Sequence, residues 1–101
     1  MSINYTTIIV ITTPYAVNTH HDQIIFSNVG GPSSIILPTL SGTGNAGKSF
    51  YIKDFSGNSK INPITISAPG KTIDGATFAI LNNKFSHLLV TYDGTNWKTI
   101  A

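Results

Sequence analysis

Apolar and polar positions alternate in short runs along most of this chain. In Ser49–Asp54, Phe50 and Ile52 fall on one side while Tyr51 and Lys53 fall on the other, the period of two that marks a half-buried strand. Ile64 and Ile66 repeat the pattern against Thr65 and Ser67. Gln23–Ser27 and residues 34–37 and 77–81 read as further strands, with Pro38 stopping the second of these three. Residues 86–92 and 97–100 flank Asp93-Gly94-Thr95-Asn96, a hairpin with a short glycine-bearing loop. Residues 8–11 break the alternation. They are four β-branched apolar residues in a row, which predicts a strand covered on both faces, one of them a contact between subunits. After Pro14, residues 15–17 form another short strand, and residues 18–22 a polar turn.

Turn chemistry separates these runs: Gly30-Gly31-Pro32, Gly57-Asn58, Pro69-Gly70, Asp74-Gly75 and Asn82-Asn83. Asn62-Pro63 sets an extended entry to the strand that follows. Residues 40–47 form a glycine-rich loop. Strand follows strand every ~8–12 residues, the spacing of a sandwich or barrel. No segment carries a helical period of useful length, and no fixed-period repeat signals a solenoid. The expected fold is therefore all-β, a β-sandwich of jelly-roll type with short strands. Trp97, the single tryptophan, is expected to anchor one end of its core.

Composition narrows the function. A chain of 101 residues supports one core, with residues 1–12 as an N-terminal strand or linker and 13–101 as the domain. Charged residues make up 10%, against roughly 25% in an average soluble domain. All cations are lysines and all acids aspartates. The lysines are scattered and no arginine fork exists, so nucleic acid is not an expected partner. Without cysteine there are no disulfides and no thiol chemistry. A small β domain lacking such staples gains stability by sharing a core between copies. Met1 is not followed by a basic signal region, and residues 8–11 are too few to span a bilayer, so membrane insertion is not expected either.

One motif points elsewhere. Gly42-Thr43-Gly44-Asn45-Ala46-Gly47-Lys48-Ser49 fits the phosphate-loop pattern letter for letter. Such a loop works because a helix begins at its end and aims free N–H groups at the phosphates. Here Phe50-Tyr51-Ile52-Lys53 follows, alternating at period two. A strand is predicted behind Ser49, and nucleotide binding is rejected with it.

The remaining candidates are few. His20 and His21 are neighbours and point to opposite faces of an extended chain, so with His87 they do not make up a metal site. Asp74 and Asp93 each precede a turn glycine and serve their own backbone, and Asp54 ends a strand beside a turn. No acid–base pair or nucleophile elbow can be assembled, so the chain is read as a non-enzyme without a cofactor. Aromatics in a small β domain belong mostly to the core. Those in turns, Phe55 and Phe85, are surface candidates. With Asn45, Asn58, Lys60, Asn82 and Asn83 they mark the loops expected to touch a ligand. A monomeric carbohydrate-binding module is the alternative these loops allow.

The assembled signature resembles a small β domain of bacteriophage tail fibres and tail spikes, and of fibre-like proteins of large DNA viruses and their satellites. The resemblance rests on Tyr15 and Val17 followed by Asp22, on Ile35-x-Leu37-Pro38, and on Gly47-Lys48 with Tyr51-Ile52-Lys53-Asp54 and Gly57-Asn58. It continues through Asn62-Pro63-Ile64-Thr65-Ile66, Thr72-Ile73-Asp74-Gly75, and the closing Gly94 and Trp97. It covers roughly residues 13–101. The resemblance implies a virion module, a homotrimer that builds or tips a fibre and contacts a host surface receptor such as a glycan. It implies no catalytic set.

Overall fold

The computed structural model describes residues 6–17, 23–40 and 43–100. These are nearly all β: β1 (Thr6–Val10), β2 (Tyr15–Ala16), β3 (Gln23–Ser27), β4 (Ser33–Ile36), β5 (Ser49–Asp54), β6 (Ile64–Ser67), β7 (Phe78–Leu81), β8 (His87–Tyr92) and β9 (Trp97–Thr99). A single 3-10 turn, Thr43–Asn45, precedes β5. His20, His21, Asp22 and Gly42 lie outside the described residues.

Two sheets share one core. The first has the order β1-β3-β5-β8-β9, the second β2-β4-β6-β7. The chain alternates between them. β1, β3 and β5 run parallel in one sheet, while β2, β4 and β6 run parallel in the other. The first six strands therefore wind as stacked coils. β7 and β8 then return antiparallel on β6 and β5, and β9 closes the hairpin on β8.

This connectivity corrects the jelly-roll expectation, whose strands are antiparallel throughout. The physical reason lies in the crossovers. A parallel neighbour requires the chain to leave the sheet and come back, and here the second sheet supplies the return path. The coils are uneven. Thr6 pairs with Gln23 and Gln23 with Phe50, steps of 17 and 27 residues. Tyr15 pairs with Ile35 and Ile35 with Ile66, steps of 20 and 31. A winding chain with unequal turns leaves no fixed period in its sequence.

Alternation sorts the faces as the sequence predicts. Phe50, Ile52, Val90, Tyr92 and Trp97 line the inner face of the first sheet, and Ile35, Ile64, Ile66 and Leu81 that of the second. Phe50, Tyr92 and Trp97 form an aromatic knot, with ring centroids 5.8 Å apart for Phe50–Trp97 and 5.3 Å for Tyr92–Trp97. The Tyr92 hydroxyl donates to the Leu40 carbonyl at 3.1 Å. The Trp97 Nε1 is buried without a hydrogen-bond partner. Within one chain the apolar run at 8–11 is covered on one face only. β1 is a sheet edge, and Ile9 and Ile11 are exposed.

The winding also places the loops. Strands β1, β3 and β5 all end at one end of the molecule. The crossovers at 28–32 and 55–63 lie there, and the antiparallel return at 82–86 joins them. The connections at 43–48 and 93–96 lie at the other end.

Candidate functional site

The crossover end is organised by one carboxylate. Asp54 is the last residue of β5, on the inward side of the strand, and is only 2% exposed. Its Oδ1 accepts the main-chain N–H of Gly57 at 3.1 Å and of Asn58 at 3.3 Å. Its Oδ2 accepts Ser59 N–H at 2.9 Å and Phe85 N–H at 3.0 Å. A carboxylate is an acceptor at both oxygens, which suits it to turns whose donors all point inward. Burial works to raise its pKa, but the hydrogen bonds from Ser59, Phe85 and Gly57 outweigh it and hold the carboxyl below its usual value. Asp54 is therefore an anion whose acceptor capacity is taken up by the backbone, and it is not poised for proton transfer.

Two turns far apart in sequence are thereby locked side by side. The Ser59 hydroxyl donates to the Asn83 carbonyl and lies 3.3 Å from the Ser86 hydroxyl. Asp54 N–H donates to the Ser86 carbonyl at 3.0 Å, and Lys53 Nζ donates to the Phe85 carbonyl. Ser86 N–H closes the second turn on Asn83 at 3.1 Å. The Phe85 backbone has φ of 56°, in the left-handed region that a bulky residue rarely enters. Bonds at both its N–H and its carbonyl hold it there.

The consequence is an aromatic rim. Phe55 is 46% exposed and Phe85 53% exposed. Phe55 packs edge-on against Phe26, centroids 5.6 Å apart. The Phe85 ring lies over Gly57 so closely that a Cβ added to Gly57 would stand 2.6 Å from its Cζ. Lys53 Nζ sits 5.9 Å from the centre of the same ring. The Asn58 amide donates to the Ser56 hydroxyl at 3.1 Å.

Of the residues the sequence marks for ligand contact, Phe55, Asn58, Lys60, Asn82, Asn83 and Phe85 all belong to these two adjoining turns. Asn45 does not. It lies in the turn before β5, at the opposite end of that strand, where its carbonyl accepts Lys48 N–H at 3.2 Å. The rim's organiser, Asp54, is outside that set: in the sequence it ends a strand beside a turn and belongs to the residues on which the resemblance rests. The signal within reach was the spacing Asp54-x-x-Gly57-Asn58, which fits a carboxylate capping the turn that follows it.

Of the phosphate-loop letters, Gly42 lies outside the described residues, and those at 43–49 run through a 3-10 turn into a strand. Ser49 opens strand β5, as expected, and no helix begins there. Its hydroxyl donates to the Gly47 carbonyl at 3.0 Å and meets the Thr91 hydroxyl at 2.9 Å. Among the described residues no three His, Cys, Asp or Glu side chains gather where a cation would be held, and no helix is long and apolar enough to cross a membrane.

A scan against protein-family models found no match, and a search of curated proteins found no similar chain.

Proposed function

We propose that this chain is a structural and adhesive module of the viral-fibre kind: a homotrimeric, non-enzymatic β domain, carried on the virion, that attaches to a host surface glycan through the rim of residues 55–60 and 82–86. The observation that carries the reading is the pair Phe55 and Phe85, two half-exposed rings in turns locked to one buried carboxylate. Aromatic faces held rigid beside amides and hydroxyls suit the mixed apolar and polar faces of a sugar, and a preformed site loses little entropy on binding. Lys53, Lys60 and Lys84 lie in or beside the rim, while its one acid is buried, so a glycan bearing carboxylate or sulfate is favoured. The residues on which the resemblance to fibre domains rests include Lys53, Asp54, Gly57 and Asn58, the residues that build the rim.

The test is glycan-array binding of the chain and of Phe55→Ala and Phe85→Gly. The second variant removes a ring while suiting the left-handed backbone. Each is expected to lose ~10-fold or more in apparent affinity, as aromatic hot spots do, with the far-ultraviolet circular dichroism unchanged. No glycan bound by the parent chain, or undiminished binding by both variants, sinks the reading. A monomeric carbohydrate-binding module would use the same rim, because every rim residue comes from one chain; mass in solution separates the two.

A further inference from the structure

Two basic side chains face each other at the crossover end. Lys53 on β5 stands directly opposite His87 on β8. Both point away from the core: Ile52 and Asp54, which flank Lys53, are the buried residues of the alternation, and His87 is exposed. Directly opposite residues of an antiparallel pair bring their Cβ atoms to ~5 Å. Each side chain is already held. The His87 imidazole stacks on the Tyr51 ring, with centroids 5.4 Å apart and planes 10° from parallel. Lys53 Nζ donates to the Phe85 carbonyl and lies 5.9 Å from the centre of the Phe85 ring.

We infer that Lys53 and His87 together read the acidic group of the glycan, a carboxylate or a sulfate, while the sugar that bears it lies against Phe85. The inference rests on the glycan reading above and names the residues that set its specificity. Donors remain for such a ligand. An ammonium has three N–H groups and the Phe85 carbonyl takes one, while an imidazole adds one donor when neutral and two when protonated. Charge favours it as well. Around the pair stand Tyr51 on β5, Ile24 and Phe26 on β3, Leu89 on β8, and Lys84 in the turn before β8. Among the described residues no carboxylate joins them. Asp54 is turned inward with both oxygens bonded, Asp74 is bonded to Thr99, and Asp93 lies in the hairpin loop at the other end of β8. Like charges directly opposite each other cost stability, and an anion seated between them turns that cost into attraction.

Lys60 and Lys84 differ from Lys53. Both are exposed, and a long exposed side chain gives up rotamer freedom when it grips a ligand. Lys53 has given that up to Phe85, so its ammonium is in place beforehand. Only Ser86 separates His87 from Phe85, so one acidic sugar can touch the ring and both basic groups. Protonation sharpens the site. Imidazole changes charge between about pH 8 and pH 5, whereas lysine and carboxylate keep theirs over that interval. An acidic glycan is therefore held more tightly as pH falls, and a neutral one is not.

The test compares carboxylated and sulfated glycans with their neutral counterparts on the array, at about pH 8 and about pH 5.5. The parent chain is expected to favour the acidic member by ~10-fold or more, the scale of charge-assisted hydrogen bonds. That preference is expected to widen ~3-fold at the lower pH, the scale of a partly exposed charge pair. Lys53→Met is expected to bind acidic and neutral members alike, and Lys53→Arg to keep the preference. His87→Gln touches none of the bonds that hold the rim. It is expected to keep the preference at the higher pH and to lose the widening, an effect assigned to His87 because His20 and His21 remain in the variant. Lys60→Met and Lys84→Met should each keep both. A preference for either acid supports the inference, and which of the two is favoured identifies the group. Equal binding of neutral and acidic members by the parent, a preference that survives in Lys53→Met, or a widening that survives in His87→Gln overturns it and leaves the glycan reading standing. No glycan bound at all ends both.

Discussion

Asp54 and Asp93 carry out the same local chemistry in two different settings. Each ends a stretch of strand and accepts main-chain N–H groups from the turn that follows. Asp93 Oδ1 takes Thr95 and Asn96 N–H, both at 2.8 Å, and Asp93 N–H donates to the Asn96 carbonyl at 2.9 Å. Every partner lies within its own hairpin, and water reaches the residue freely. Asp54 is buried, and one of its partners, Phe85, lies 31 residues on. Burial turns a turn-former into a clamp. Where water is excluded, a carboxylate left without donors is costly, and so are donors left without a carboxylate. The Asp54 turn and its distant partner therefore hold or fail together, whereas the Asp93 turn stands alone.

The sharpest way to break this contrast is to delete both carboxylates in turn. Asp54→Ala leaves four N–H donors without their acceptor, that of Ser59 buried and the other three part-buried, and we expect a loss of ~2–3 kcal/mol in urea unfolding. Asp93→Ala exposes its freed donors to solvent, and its melting temperature should fall by no more than a few degrees. Comparable effects from the two variants would remove the distinction.

A smaller effect tests the packing within the clamp. Gly57 has φ of 82°, and any side chain there meets the Phe85 ring. Gly57→Ala is expected to cost ~1–2 kcal/mol and to weaken glycan binding by displacing that ring. A variant with parent stability and parent binding would show that the ring is not held over Gly57.

The finest test is acid titration of stability. The Asp54 pKa is lowered in the folded chain, so its contribution is complete above the unfolded carboxylate value of ~4 and is lost as pH falls through the folded value. Asp93 is lowered too, first by the Asn96 and then by the Thr95 main chain, and its contribution has the same sign. Asp54→Asn should flatten the acid limb of the stability curve more than Asp93→Asn. Added salt should narrow the Asp93 contribution more, because exposed charges are the better screened. An acid limb unchanged in Asp54→Asn would sink the clamp.

Much of the local structure was legible in the residues. Gln23–Ser27, a short apolar run, and Ser49–Asp54, which alternates, are strands with the bounds read from the residues. The strand behind Ser49 was readable because Phe50-Tyr51-Ile52-Lys53 has a period of two, whatever the letters before it suggest. The rim's aromatics were readable as surface residues because they sit among turn formers. What alternation does not encode is the neighbour of each strand. A run such as Gln23–Ser27 buries Ile25 equally well beside a parallel or an antiparallel partner. The unequal coil steps erase the period that would have given the winding away.

Taken alone, the order of residues determined the strands, the turns between them and the inward side of each, since these depend on neighbours within a few positions. Tertiary structure decided which crossovers share an end of the molecule, that Asp54 joins two of them, and that Asn45 lies apart. It also decided that Ile9 is left facing solvent. Those outcomes depend on burial and on contacts between residues tens of positions apart, where hydrogen bonds and apolar surface gain their value only once the chain has wound and water has been expelled.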